Sequence, residues 1–261
     1  MKLTFLGTGT SFGVPQIGCH CARCRSTDPR DRRTRVGAVV ETDRGTRLLL
    51  DTPPELRLQL VTNGIDWVDA VLFTHDHADH THGVDDIRAI TVRRDAPLPM
   101  YGPPATLENL AKRFPYIFDE NIRPAAGTSK PEGHAAPLAG DETVTIGDVD
   151  VTAVPVPHGK MTVYAYRIGP LAYVTDAKTI PPAALDKLRG AQVLVINALF
   201  RTEHPTHLSI PEAVRAAREI GADRTYLTHL THDNFHADLE AELPRGITPA
   251  FDGLTIRIDE S

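Results

Sequence analysis

Residues 72–83, LFTHDHADHTHG, place His75, His77, Asp79, His80 and His82 within eight positions directly after an apolar run. Burying so many imidazoles and carboxylates costs free energy unless each is paired, and a solvated loop gains nothing from this composition. Divalent cations supply the reason, because neutral imidazole nitrogen and carboxylate oxygen are their common protein ligands. On an extended strand end His75 and His77 project to the same side and can grip one ion. Asp79 and His80 open the following helix and can reach a second ion a few ångströms away. His82 sits beside this set, either as a supporting contact or as a helix-start residue.

Further ligand-capable residues stand at the ends of other apolar runs. His158 follows the strand in VPVPHGK, Asp176 follows AYVT, and His229 follows TYLT. Taken alone, each could be a turn aspartate or a hydrogen-bonded histidine. Their shared place after β-rich segments makes them candidates for the same centre. Asp51, at the end of RLLLD, reads either as an acceptor for the second ring nitrogen of a ligand histidine or as a turn residue.

All three cysteines of the chain, Cys19, Cys21 and Cys24, lie in GCHCARCRS. An odd cluster is a poor disulfide framework. It is open to three readings: a redox pair, a structural metal site short of one ligand, or a catalytic centre. His20, inside the cluster, is an awkwardly placed alternative ligand.

The elements that must hold these residues are legible as short β-branched runs broken by Gly, Pro, Asn and Asp. Strands are predicted at 2–6, 37–42, 47–51, 70–74, 97–101, 143–146, 149–154, 163–168, 171–175, 192–196, 224–228 and 254–258. Gly169-Pro170 between two runs predicts a hairpin. Helices are predicted at 54–63, 83–93, 104–113, 181–189, 209–220 and 234–242, and Ser209 with Glu212 forms a capping box that Gly221 closes off downstream. Strands grouped in hairpins with helices interspersed predict a layered α/β fold with mixed sheets. Residues 115–142 read as one long Pro- and Gly-rich loop. No linker divides residues 1–261, which are read as a single domain.

The 261 residues carry 12 histidines, 41% hydrophobic residues and a formal net charge of −6. This balance argues against a dedicated nucleic-acid or membrane binder. The N-terminus lacks the apolar core of a signal peptide and no segment has the run of apolar residues needed to span a bilayer, so the expected location is cytoplasmic. The run PRDRRTR (29–35) and Arg88 are candidate phosphate contacts, with a solvated face as the plainer alternative.

The HxHxDH core followed by a histidine, an aspartate and a final histidine after successive strands resembles the metallo-β-lactamase superfamily of hydrolases. The likeness runs from FLGTGTSFG to YLTHLTH. It implies a four-layer αββα sandwich with two metals at one sheet edge: His75, His77 and His158 on the first ion, Asp79, His80 and His229 on the second, and Asp176 bridging. The opening GTGTSFGVPQIGCHCARCRSTDPRDRRTR is similar to the phosphoribosyl 1,2-cyclic phosphodiesterase family of phosphonate degradation, which also acts on 2′,3′-cyclic nucleotides. That likeness implies a structural zinc on Cys19, Cys21, Cys24 and His232. In TEHPTHLSIPEAV, His207 looks like the extra histidine of phosphodiesterase branches.

The expected chemistry is hydrolysis of a small cyclic phosphodiester with two Mn²⁺ or Zn²⁺ ions, which lower the pKa of a bridging water to give hydroxide. His207 is the candidate proton donor to the leaving group and Asp79 the candidate to orient the nucleophile. The expected partner is that small substrate, with no membrane and no stable nucleic-acid partner, in a chain that could form a homodimer. Two rivals share the fold. A transfer-RNA 3′-end endonuclease needs a basic arm, and residues 115–142 contain only Arg123 and Lys130. A pyrroloquinoline quinone biosynthesis B-like protein has a similar cysteine cluster, but the seven-ligand set favours hydrolysis.

Overall fold

The computed structural model describes residues 1–260. Fourteen strands run in chain order as β1 (Lys2–Gly7), β2 (Gly37–Glu41), β3 (Arg47–Leu50), β4 (Ala70–Leu72), β5 (Leu98–Gly102), β6 (Gly133–Pro137), β7 (Thr143–Ile146), β8 (Val149–His158), β9 (Met161–Ile168), β10 (Leu171–Val174), β11 (Val193–Asn197), β12 (Arg224–Thr228), β13 (Ile247–Pro249) and β14 (Thr255–Arg257). They form two seven-stranded sheets, ordered β14-β1-β2-β3-β4-β5-β6 and β13-β12-β11-β10-β9-β8-β7.

The apolar runs explain the layering. Leu48 and Leu50 of β3, Leu72 of β4 and Val193 and Val195 of β11 point into the core between the sheets, with Phe5, Tyr166 and Tyr173. Their alternates face outward: Leu49 and Val71 pack under Leu56, Leu60, Ile87, Leu107 and Leu110 of one helical layer. Leu194 and Ile196 pack under Ala184, Leu188, Ala213, Ala217 and Ile220 of the other. Because both faces of these strands are covered, they read as unbroken apolar stretches instead of alternating ones. The result is the expected αββα sandwich.

Strand direction brings the candidate ligands to one edge. β3 and β4 are parallel, as are β10, β11 and β12. Since β8 is antiparallel to β9, and β9 to β10, β8 runs the same way as β10. The residues that follow these strands therefore gather at a common rim. There the Tyr164 amide donates to the Thr74 carbonyl (2.9 Å) and the Tyr166 hydroxyl to the Phe73 carbonyl (2.6 Å), tying one sheet to the other.

Most predicted elements fall within a residue or two of the observed ones, including the hairpin at Gly169, whose φ of 49° suits glycine. The helix at 210–220 carries the capping box: the Ser209 hydroxyl accepts from the Glu212 amide, and the Glu212 carboxylate accepts from the Ser209 amide. Three expectations are corrected. The predicted helix over 83–93 is a 3₁₀ turn at Val84–Ile87 followed by an α-helix at Arg88–Arg94. Residues 115–142 are not a structureless loop, since they hold a helical turn at Pro115–Phe118 and β6. Strands β6 and β13 are not among the predicted ones: β6 is GHAAP, poor in strand formers, and β13 is only Ile-Thr-Pro, too short to show a pattern, so pairing to a neighbouring strand creates both.

Candidate metal centre

The seven candidate ligands do converge, with His158 as the last residue of β8 instead of the residue after it. Their ligand atoms fall into overlapping groups within 4.8 Å: His75, His77 and His158; His75, His80 and Asp176; Asp79, His80 and His229. His80 Nε2 lies 3.2 Å from Asp176 and 3.6 Å from Asp79, while His229 Nε2 lies 3.2 Å and 3.9 Å from the same two carboxylates. The His75 ring sits 4.5 Å from that of His77 and 5.6 Å from that of His158.

Backbone geometry aims the side chains. Asp51, Asp176 and His229 have φ of 61°, 59° and 56°, three of the five non-glycine residues in the left-handed region among the described residues. Each stands just past a strand, where a left-handed residue ends the ladder and turns the side chain into the rim. Such a conformation carries a modest cost, and it recurs where function requires it.

Hydrogen bonds behind the rim decide which ring nitrogen is presented. Asp51 is fully buried, and its carboxylate accepts from the Thr74 amide (2.8 Å), the Thr74 hydroxyl (2.9 Å) and His80 Nδ1 (2.7 Å). Having given its proton to Asp51, the Thr74 hydroxyl accepts from His75 Nδ1 at 3.0 Å. The Thr206 carbonyl can only accept, so His158 Nδ1 donates to it at 2.9 Å. All three rings therefore turn Nε2 toward the centre.

That arrangement fits cations. The Nε2 atoms of His75, His80 and His229 are buried with no hydrogen-bond partner among the described residues. Such orphans are costly unless a metal takes the lone pair. Electrostatics agree. Burial opposes charge on His80, yet Asp176, Asp51 and Asp79 hold its imidazole well above the ordinary range. Burial likewise opposes ionisation of Asp176 and Asp79, but His229 and His80 hold Asp176, and His80 and His229 hold Asp79, well below the carboxylate range. A proton on His80 thus does part of what a cation does. Burial pushes His75 well below the ordinary imidazole range, which leaves its ring neutral and its lone pair free for a cation.

His207 lies at the same rim, with its Nδ1 3.4 Å from Asp176 and its ring 4.8 Å from that of His229. Burial, aided by the neighbouring histidines against the pull of Asp176, pushes its imidazole down to about 3. The rim opens into a pocket of about 300 Å³ bordered by Phe12, Phe200, His204, His207 and His229.

The cysteines form a separate cluster with the expected partner. His232 Nδ1 lies 3.4, 3.7 and 3.2 Å from the sulfurs of Cys19, Cys21 and Cys24. A tetrahedral zinc with bonds of about 2.3 Å to sulfur and 2.0 Å to nitrogen sets S···N edges of about 3.5 Å, which these distances match. No disulfide joins the thiols. Hydrogen bonds from the Cys24 amide, opposed by burial, bring the Cys21 thiol down to about 6, while burial pushes Cys24 up to about 11. The N-terminal turn is held against this strand end by the Leu230 amide donating to the Thr8 carbonyl (2.9 Å). Only glycine fits at Gly7 there, because a Cβ would overlap the Arg35 carbonyl oxygen. His20 is exposed and outside the cluster.

Other expectations are revised. His82 caps the C-terminal end of the short helix at Ala78–Thr81, exposed and edge-on to Phe114, so it supports no ligand. Arg88 donates to Asp85 (2.9 Å) and to the Ser129 carbonyl (2.6 Å), which leaves its fork engaged away from the rim. In the run 29–35, Arg30 pairs with Asp28 and Glu240, and Arg35 pairs with Glu55. Arg33 is buried, donating to the Thr8 hydroxyl and the Ala250 carbonyl. These are fold contacts. Sequence reading passed over Thr74, Thr206, His204 and Asp76, the last of which accepts from Asn109 and Arg113 and fastens the histidine loop to the helix at Pro104–Arg113. A signal for Thr74 was present, since a threonine precedes the ligand-capable residue in TH (74–75), TD (175–176) and TH (228–229).

No described helix is long and apolar enough to cross a membrane. Residues 46–230 match the family model described as the β-lactamase superfamily domain. A solved diphosphatase of the PhnP family is 38% identical and superposes with a TM-score of 0.90, covering 99% of this chain and 98% of that one. An octanoyltransferase of Porphyromonas gingivalis is 39% identical over 265 residues, and the chain spans only 52% of that relative's length while matching along all of its own. A ribonuclease Z of Methanopyrus kandleri is 28% identical over 310 residues, covering 99% of this chain and 98% of the relative. With the αββα sandwich and the rim of histidines and aspartates, these likenesses identify the chain as a member of the metallo-β-lactamase superfamily, a divalent-metal-dependent hydrolase.

Proposed function

We propose that the chain hydrolyses small cyclic phosphodiesters, of the phosphoribosyl 1,2-cyclic phosphate or 2′,3′-cyclic nucleotide type, with two divalent cations at the rim. The observation that carries this reading is the overlap of the candidate ligand groups at His80 and Asp176, beside a pocket of about 300 Å³ that His229 and His207 border. His75, His77 and His158 would hold one ion, Asp79, His80 and His229 the other, with Asp176 facing both. When bound, such a pair, zinc or manganese, acidifies water and neutralises charge on phosphoryl oxygens. Cys19, Cys21, Cys24 and His232 would hold a structural zinc.

The residues of the chain divide the remaining work. Asp51, Thr74 and the Thr206 carbonyl keep the ligand rings oriented. Asp79, ionised and next to His229, accepts a hydrogen bond from the attacking water and orients it. His207 borders the pocket, where the leaving group departs. Burial keeps its ring neutral, but an anionic phosphodiester beside it favours the imidazolium, which then delivers a proton to the leaving alkoxide.

The diphosphatase relative supports phosphorus–oxygen chemistry. The ribonuclease likeness is less well served, because Lys130, one of two basic residues in 115–142, is buried and donates to the carbonyls of Tyr116 and Asp119. Assays with bis(p-nitrophenyl) phosphate and a 2′,3′-cyclic nucleotide in Mn²⁺ or Zn²⁺ test the proposal. Turnover of the cyclic substrate supports it, and inactivity toward both compounds with the metals loaded overturns it.

A further inference from the structure

Resting on the ligand role given above to His229, we infer that Thr228 is its positioning residue: the Thr228 hydroxyl accepts a hydrogen bond from His229 Nδ1 when Nε2 holds a cation. The other buried ligand rings each have a partner behind them, Asp51 for His80, Thr74 for His75 and the Thr206 carbonyl for His158. His229 is buried too, yet neither of its ring nitrogens has a hydrogen-bond partner among the described residues. The hydroxyl of Thr228, the residue before it, is fully buried and has none either. A neutral imidazole carries one proton, so a cation on Nε2 leaves that proton on Nδ1, where it is a buried donor in need of an acceptor. His229 Nε2 is the nitrogen that faces Asp176 (3.2 Å) and Asp79 (3.9 Å), which leaves Nδ1 for the fold to satisfy.

The fold makes this bond at two other strand ends. The Thr74 hydroxyl accepts from His75 Nδ1 at 3.0 Å, and the Thr175 hydroxyl donates to the Asp176 carboxylate at 2.6 Å. The first pair shows that a threonine hydroxyl can serve the Nδ1 of the next residue. The second shows that it can do so across a left-handed backbone, since Asp176 and His229 have φ of 59° and 56°. A carboxylate oxygen of aspartate and Nδ1 of histidine hold the same place in their side chains, one bond beyond Cγ. A hydroxyl that reaches the one at this φ can therefore reach the other. Of the three threonine–ligand pairs, only Thr228 and His229 leave both groups unpaired. Two buried polar groups without partners are costly, and one hydrogen bond between them satisfies both. Thr228 thus does for the ion on Asp79, His80 and His229 what Thr74 does for the ion on His75, His77 and His158.

Thr228→Val replaces the hydroxyl with a methyl group of similar size, and Thr228→Ser keeps the hydroxyl. In chelator, Thr228→Val should melt at or above the parent, because a buried hydroxyl without a partner has been removed. In competition against a fluorescent zinc chelator, the same variant should lose about 10- to 100-fold in affinity for one zinc equivalent, and Thr228→Ser should restore it. Opposite signs separate positioning from packing, since a packing role would lower both readings. The inference is overturned if Thr228→Val binds every zinc equivalent within twofold of the parent. A lower melt in chelator also overturns it, because the hydroxyl would then be bonded before any ion arrives. His229→Ala supplies the reference: if it keeps every zinc equivalent, the ligand role of His229 fails and the inference fails with it. If His229→Ala loses an equivalent that Thr228→Val holds at parental affinity, the inference alone fails. The wild-type protein gives a separate reading by nuclear magnetic resonance with ¹⁵N-labelled histidine. With zinc bound, His229 Nδ1 should carry a slowly exchanging proton. Zinc on Nδ1, or a proton that exchanges as in a free ring, overturns the inference.

Discussion

Asp51→Asn tests the geometry behind the rim most sharply, because it changes one atom and a charge. Asparagine tolerates the left-handed φ of 61° at this position, so the backbone has no reason to move. One carboxylate oxygen of Asp51 accepts from the Thr74 amide, and the other accepts from the Thr74 hydroxyl and His80 Nδ1. Asparagine has a single acceptor oxygen. Whichever way its amide turns, an NH₂ group faces a donor: the Thr74 amide in one orientation, His80 Nδ1 in the other. A buried donor left without an acceptor costs about 1–3 kcal/mol. For a chain of this size that is a fall in melting temperature of about 2–4 °C per kcal/mol. The ligand ring also loses its orienting partner, which typically lowers metal affinity about 10- to 100-fold. Thermal melts in chelator would read the first effect and competition against a fluorescent zinc chelator the second. If Asp51→Asn melts with the parent and binds zinc within twofold of it, the proposed orientation of His80 through Asp51 is wrong.

Other outcomes follow from the same geometry. A triple Cys19→Ser, Cys21→Ser, Cys24→Ser variant should lose one zinc equivalent by elemental analysis and melt lower, while the rim keeps its metals. An unchanged zinc content rejects the structural site. His207→Ala should retain its metals and lose about 10²- to 10⁴-fold in kcat, as removal of a general acid does; full turnover would exclude that role. Metal loading in weak buffer at pH 7 should release protons, since the imidazole of His80 is held well above its ordinary range before an ion arrives. Glu212 gives a stability signature. Burial pushes its carboxyl up, but Lys178 and Ser209 outweigh this and hold it at about 2, against 4.5 for a free side chain. Its folded pKa is the lower one, so its stabilisation is whole above pH 4.5 and is lost as pH falls toward 2. Glu212→Gln should therefore flatten urea stability between pH 5 and 3, at a cost of about 1–2 kcal/mol near neutrality.

Much of this protein is legible in its residue order, for local reasons. Apolar runs such as RLLLD, AVLFT and QVLVI mark strands buried on both faces, and S-x-x-E followed by glycine marks the helix at Ile210–Ile220, because propensity and capping act over a few residues. The histidine loop declares metal chemistry because no structural economy explains its composition. Tertiary structure alone decides what depends on distant chain segments meeting. Asp51 and His80 are 29 positions apart, and only the parallel pairing of β3 with β4 turns a turn aspartate into the acceptor that orients the His80 ring. Thr206 acts through its backbone carbonyl, which no side-chain pattern can announce. The arginines of 29–35 look like a phosphate grip in sequence, yet Arg30, Arg33 and Arg35 find carboxylates and carbonyls within the fold. Residue type sets which bonds a group can make. Which bond it makes is set by the neighbour that folding supplies.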